Sequence, residues 1–385
     1  MTWRKTLFVG AVVAGLTIAA GCTSTQPPTP APAESTDTAA KSEYNIALIR
    51  WDSNDVFFNG VQAGEEEEWA RIAKEEGVKI NTVAFGSNDA AEQTEALKAQ
   101  IAKGIDGVSL VSYRAEAMKG VLAELAEEGI PVVTHNSFVP GSDQTYVSFD
   151  GVKAGELAAQ AVVDTLDKNR GKEWREGNGV FIELRCLITL STDVDRHNGM
   201  HKVIDPIMAA NDKLEIVIQE AECDGEKGRT ITDDAISKYG IDRILGIMTI
   251  DGTAAVGGAI PALKAEEAIY PNTDPKYIPV ASVDCSKPEL DSIIAGELTE
   301  CSEQPAKGEG IVATHLLWDM IKNKTLKPTL TVDQVQANMT AAYGEQPWLP
   351  VVDIPVNGFT GQWYGIQSFS TPGDLAPDAP GHWAE

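Results

Sequence analysis

From Tyr44 onward, short apolar runs alternate with longer stretches whose apolar positions follow a helical period. Runs at 44–50, 78–85, 106–111 and 130–135 are short enough for buried strands. The segments 59–76, 89–103 and 115–128 between them predict helices; in the second, Ala91, Leu97, Ala99 and Ile101 supply much of the apolar face. Gly77, Gly104 and Gly129 each follow a helical segment, where a left-handed cap favours glycine. The alternation then repeats, with strand-like runs at 179–184, 214–220, 243–249 and 278–283. Helical patterns lie near 151–167, 195–210, 227–238, 253–267 and 287–295. Repeated β-α order calls for parallel sheets with right-handed crossovers. The pattern therefore predicts an α/β chain of two similar lobes, joined through Tyr146–Asp150 and followed by a short strand at 296–301 and a strong helix at 307–321. Beyond Lys327, strand-like runs are expected at 333–342 and 350–354. The tail 361–385 carries Trp363, Tyr364 and Trp383 among Pro and Gly and reads as irregular packing on a domain surface.

One stretch carries candidate chemistry near the start of this pattern. The apolar run Ile46–Ile49 breaks into Ser53-Asn54-Asp55 and the aromatic pair Phe57-Phe58, and a helix follows. A strand, a loop with an acid and aromatics, and a helix form one wall of a ligand crevice in an open α/β sheet. The expectation is a receptor that closes on a small polyhydroxylated molecule.

Charge narrows the partners. The chain of 385 residues carries 57 acidic against 31 basic side chains, a net charge of −26. A field of that sign repels phosphate backbones and anionic surfaces, so nucleic-acid binding is excluded. The run Glu65-Glu66-Glu67-Glu68 reads as a solvated helix face.

Residues 1–21 read as a leader, with Arg4 and Lys5 ahead of an apolar core, Leu7–Ala20, too short for a comfortable membrane span. Its end, Ile18-Ala19-Ala20-Gly21-Cys22, resembles a bacterial lipoprotein signal, which implies Cys22 as a lipidated N-terminus. Residues 22–43, rich in Ser, Thr, Pro and Ala, bury too little surface to offset their ordering entropy and read as a tether.

Apart from Cys22, the cysteines are Cys186, Cys223, Cys285 and Cys301. An even number in an exported protein permits two disulfides, and three pairings remain open from sequence. His197 and His201 stand four apart on an expected helix, but no carboxylate completes a zinc-hydrolase motif. Neither a metal nor a cofactor is expected.

The chain from about 44 to 325 resembles the ribose/galactose-type sugar-binding proteins of ABC transporters, the type I periplasmic binding fold. The residues that carry the likeness are IALIRWDSNDVFFNGVQAG, GIDGVSLVS, EEGIPVVTHNS, Arg196-His197-Asn198-Gly199, TIDGTAAVGG, VASVDCSKPE and GELTECSEQP, in that order. The resemblance implies two doubly wound parallel-sheet lobes with a hinge of three crossings, near 147–151, near 301–305 and after 325. The N-terminal lobe is then 44–147 plus about 304–326, and the C-terminal lobe 148–303 plus part of 327–360. It implies ligand contacts from Asp55, Phe57, Phe58, Asn136, Arg196, Cys223, Asp251, Asp284 and Gln304, flanked by Trp51 and His135. The residue types suit a sugar: carboxylates and amides meet hydroxyls, and aromatic rings cover the C–H face.

The sequence also departs from the family. His135-Asn136-Ser137 stands where many members have Asp-Arg, Cys223 where an aromatic is common, and Asp251 where Asn is common. A deoxysugar or smaller polyol is therefore as well suited as ribose or glucose. On this fold the cysteines pair as Cys186–Cys223 and Cys285–Cys301. The implied role is a monomeric, lipid-anchored solute-binding protein serving an ABC permease. The alternative is a receptor that presents its ligand to a sensor kinase or chemoreceptor. Asp251 and Asp284 as the acid and base of a hydrolase are set aside, because both occupy binding positions of the family.

Overall fold

A computed structural model describes residues 41–352, apart from 54, 142, 347 and 350, together with 362–366 and 370–371. The leader, Cys22, the tether up to residue 40 and Trp383 lie outside the described residues.

The first lobe is built on β1 (Glu43–Arg50), β2 (Lys79–Gly86), β3 (Gly107–Leu110), β4 (Val132–His135) and β5 (Thr145–Phe149). Its helices are α1 (Val56–Glu76), α2 (Ala90–Ile101) and α3 (Ala115–Glu127). The second lobe takes α4 (Gly151–Arg170), β6 (Val180–Arg185), α5 (Ser191–Ala210), β7 (Glu215–Glu220), α6 (Gly225–Tyr239) and β8 (Ile244–Thr249). It continues through α7 (Gly252–Ala254), a π turn (Ala255–Ala259), α8 (Ile260–Ala265), β9 (Val280–Asp284), α9 (Lys287–Ile294) and β10 (Glu300–Glu303). The chain then returns to the first lobe with α10 (Ala306–Asn323), α11 (Val332–Tyr343), β11 (Val351–Val352) and β12 (Gln362–Ile366), and β13 (Ser370–Thr371) rejoins the second sheet.

Among the described residues the sheet orders are β11-β12-β5-β4-β3-β1-β2 and β13-β10-β9-β8-β6-β7. All pairs are parallel except β11–β12 and β10–β13. The two doubly wound sheets are the α/β architecture that the alternation predicts. Among the described residues the chain passes between lobes at Phe149–Gly151 and at Glu303–Ala306, and β12 and β13 belong to different sheets.

One packing device recurs in both lobes. A Cβ on Gly64 of α1 would meet Lys307 O at 2.1 Å, and one on Gly310 of α10 would meet Val61 O at 2.1 Å. In the second lobe Gly155 of α4 stands the same way against Arg196 O, and Gly199 of α5 against Val152 O, each at 2.0 Å. Each lobe thus presses two helices backbone to backbone, which a side chain at these positions would prevent. The device aims both helix N-termini, after Asp55 and near Arg196, at the space between the sheets.

Four expectations are corrected here. The run 333–342 is helical, because Thr331 and Gln334 form a capping box and Val335 and Met339 bury on one face. The segment from 327 to 352 belongs to the first lobe, not the second: α11 packs on α10, and β11 pairs with β12, which extends the first sheet beside β5. Residues 362–366 and 370–371 of the expected irregular tail are strands. The run of four glutamates is also not uniformly solvated, since Glu65 and Glu68 are buried while Glu66 and Glu67 are exposed. Glu68 accepts from Arg71 Nε at 2.6 Å and from Tyr343 Oη at 2.6 Å, and His315 Nδ1 lies 3.0 Å away, so it ties α1 to α10 and α11.

Candidate functional site

A cavity of about 250 Å³ lies between the lobes, at the carboxyl ends of strands from both sheets. This is where parallel α/β sheets leave a crevice for ligands.

The first-lobe wall is aromatic. Asp55 caps α1, its Oδ1 accepting from Phe57 N at 2.8 Å and Phe58 N at 3.3 Å. The cap fixes the turn that delivers both rings. Phe58 stacks on Trp51 with centroids 5.9 Å apart, and Phe57 meets Phe58 edge-on at 5.3 Å. Val61, Val111 and Ala306 back the pair. Burial pushes the Asp55 carboxyl above its ordinary value, against the two backbone N–H donors. Asn136 follows β4 with φ +62° and also lines the cavity, its backbone N donating to Glu309 Oε1 at 2.8 Å.

The second-lobe wall is ionic. Arg196 on α5 is buried, donates to Ile250 O and Gln304 Oε1, and pairs with Asp284 Oδ1 at 3.1 Å. Its guanidinium also lies over the Phe149 ring, 4.9 Å from the centroid. Gln304 in turn donates to Glu309 Oε2 at 3.0 Å. A single hydrogen-bonded chain therefore runs Asp284–Arg196–Gln304–Glu309–Asn136, from the second lobe through a hinge crossing into the first. Asp251 caps α7 by accepting from Ala254 N at 2.8 Å, while its Oδ2 is buried with no hydrogen-bond partner among the described residues. Burial first, and the neighbouring Asp284 charge second, push the Asp251 carboxyl up to about 7. Burial also raises Asp284, with Arg196 opposing it. Asp284 holds φ +123°, a region that side chains rarely enter, and such strain collects where a site over-determines the backbone.

Two disulfides frame this wall. Cys186 and Cys223 join the turns after β6 and β7, with Cα atoms 4.4 Å apart, and both line the cavity. Cys285 and Cys301, 5.3 Å apart, tie β10 to the residue after Asp284.

The family model for a periplasmic binding protein domain matches residues 46–325. The chain belongs to that family. Membership places it outside the cytoplasm and makes it a binding protein, not an enzyme. The chain is 28% identical to the ribose import binding protein RbsB of Bacillus subtilis over 301 residues, covering 78% of this chain and 88% of that one. It is also 28% identical to the D-xylose-binding periplasmic protein of Haemophilus influenzae over 228 residues, 58% of this chain and 60% of the relative. Among solved structures, Caulobacter myo-inositol binding protein bound to myo-inositol superposes with a TM-score of 0.63 at 18% identity, covering 85% of this chain and 93% of that one. The D-allose-bound solute binding protein from Actinobacillus succinogenes 130z gives 0.64 at 16%, covering 86% and 98%. No described helix is long and apolar enough to cross a membrane.

Within this periplasmic binding protein, Trp51, Asp55, Phe57, Phe58, Asn136, Arg196, Cys223, Asp251, Asp284 and Gln304 are brought together around one cavity. His135 is not. It faces away from the cavity, with Nε2 2.9 Å from Ser109 Oγ and 3.5 Å from Glu65, because neighbours at a strand end point to opposite sides. Arg196 does not pair with Asp193, whose carboxylate is held by Arg185 and Cys186 N. Sequence reasoning missed Asp52, Asn88, Thr192, Asp193, Glu222, Asp224 and Thr253, all of which line the cavity. Asn88, Glu222 and Asp224 follow strand ends, so the rule that points to Asn136 reaches them too. Seven carboxylates line the cavity (Asp52, Asp55, Asp193, Glu222, Asp224, Asp251 and Asp284), and Arg196 is the one cationic side chain among the described lining residues.

Proposed function

We propose that this chain is the lipid-anchored, extracytoplasmic solute-binding protein of an ABC importer, and that it takes a sugar or related polyol into the cleft. The observation that carries the reading is one cavity with an aromatic plate on one side and an Arg196–Asp284–Asp251 set on the other. Phe57, Phe58 and Trp51 cover a C–H face; Asp55, Asn136, Asp251, Asp284, Arg196 and Gln304 meet hydroxyls. A cavity of about 250 Å³ lies at the small end for ligand pockets, which suits a single ring. Asn136-Ser137 where the family often has Asp-Arg, and Cys223 held in a bridge, favour a deoxysugar or small polyol over ribose or glucose. Ligand contacts made by both lobes shift the hinge towards the closed form, which a membrane permease then engages as the partner of a monomer. Lipid on Cys22 keeps the protein at that membrane.

A thermal-shift screen with neutral monosaccharides, deoxysugars and polyols tests the ligand class, because a ligand bound only by the native state raises the midpoint. A response confined to amino acids or peptides sinks the sugar reading. Calorimetry on Asp284→Ala with the best ligand is expected to show no binding by a folded protein. Cell fractionation of Cys22→Ala is expected to move the protein from membrane to soluble fractions.

A further inference from the structure

One cluster has no part in the cleft. Glu183 sits within β6 between Ile182 and Leu184, and its side chain is fully buried. A carboxylate there is costly unless cations or donors surround it. His197 and His201, one turn apart on α5, face it together. His197 Nδ1 lies 2.7 Å from Glu183 Oε1, and His201 Nε2 lies 2.9 Å from Oε2. The two ring centroids are 4.1 Å apart. One ligand atom from each of the three residues lies within 4.8 Å of the others.

We propose that Glu183, His197 and His201 form a binding site for a divalent transition ion of the zinc class. Two imidazoles and one carboxylate are a borderline donor set that suits zinc, nickel or cobalt over magnesium or calcium. The imidazoles stand at i and i+4 of one helix, so they chelate without ordering further backbone. The rings keep 23% and 19% of their side-chain surface exposed, which leaves a route in and room for water as a fourth ligand. A built site also orients its ligands from behind. Asp205 Oδ1 lies 2.7 Å from His201 Nδ1, the outer carboxylate that metal-bound histidines usually have. The nearest competing cation, Arg185, stands 3.9 Å from Glu183 Oε1 but is bonded to Asp193, which leaves the Glu183 oxygens to the imidazoles. The bound ion replaces the protons now shared between rings and carboxylate and pins α5 to β6, one residue beyond Arg196. This site is independent of the sugar reading, because none of its three ligands lines the cleft.

Cobalt(II) and zinc titrations of the untagged full chain test it. Wild-type protein is expected to bind one equivalent, with cobalt d–d absorption of a four-coordinate nitrogen–oxygen site and a zinc-dependent rise in melting temperature. His197→Ala and His201→Ala, checked for fold by circular dichroism, are each expected to weaken binding on the order of a hundredfold, and Asp205→Asn about tenfold. Wild-type protein without saturable binding overturns the proposal, and so does binding that survives in a folded His201→Ala. Should the variants not fold, the wild-type cobalt spectrum decides alone: a six-coordinate aquo spectrum rejects the site.

Discussion

The two walls of the cleft stand on matching frames yet are made of unlike material. In each lobe a glycine-mediated helix pair aims a helix start at the cavity. On the first lobe that start carries Asp55, Phe57 and Phe58, drawn from one short stretch and held by an apolar cluster. On the second, Arg196 comes from the second turn of α5 and Asp251 and Asp284 from two separate strand–helix junctions, and the set is held by hydrogen bonds, ion pairing and two disulfides. Backbone strain follows the same division: Glu222, Cys223, Asp284 and Cys285 have positive φ on the second wall, against Asn136 on the first. The difference teaches that packing suffices to place rings, while buried charge demands partners from several loops at once.

The sharpest test of the contrast is Arg196→Ala. It unpairs Asp284 and cuts the chain of bonds that reaches Asn136, so ligand affinity is expected to fall on the order of a hundredfold or more, read by calorimetry. Next is the Cys285→Ala/Cys301→Ala pair. Opening a bridge across a sequence separation of 16 is expected to lower stability by about 3 kcal/mol, read by urea unfolding under non-reducing conditions. Phe58→Ala probes the other wall. Losing one stacked ring is expected to weaken ligand about tenfold, in line with ~1 kcal/mol for an aromatic contact beyond its buried area. A larger effect from Phe58 than from Arg196 breaks the contrast.

The smallest expected effect is on pH. Asp251 is raised in the folded protein from 3.8 to about 7, so the folded state prefers the protonated acid. The stability this contributes is fully present below the unfolded value and is lost as pH rises through about 7. The melting temperature of unliganded protein is expected to fall by a few degrees between pH 5 and pH 8. Asp251→Asn, which keeps the cap, is expected to flatten that slope.

What the sequence determined by itself is local. Periods of two and of 3.6 residues are properties of neighbouring residues, so most strands and helices from Tyr44 to Ile321 were legible, and with them the α/β class; β5 was not, because Tyr146–Asp150 read as the link between the lobes. The stretch Trp51–Phe58 was legible for the same reason, since its cap and its rings lie within one turn. Only the tertiary structure decided which charges are buried and beside what. Glu65 left solvent to meet Ser109 and His135 on the sheet, and Glu68 because α10 and α11 cover it; His135 turned inward to Ser109; Asp193 went to Arg185 and left Arg196 to Asp284. The lobe to which 327–352 attaches was set by strand pairing with β5, and the carboxylate that faces His197 and His201 came from another strand. These pairings join residues far apart in the chain, and the free energy that selects them arises only when both have left water together.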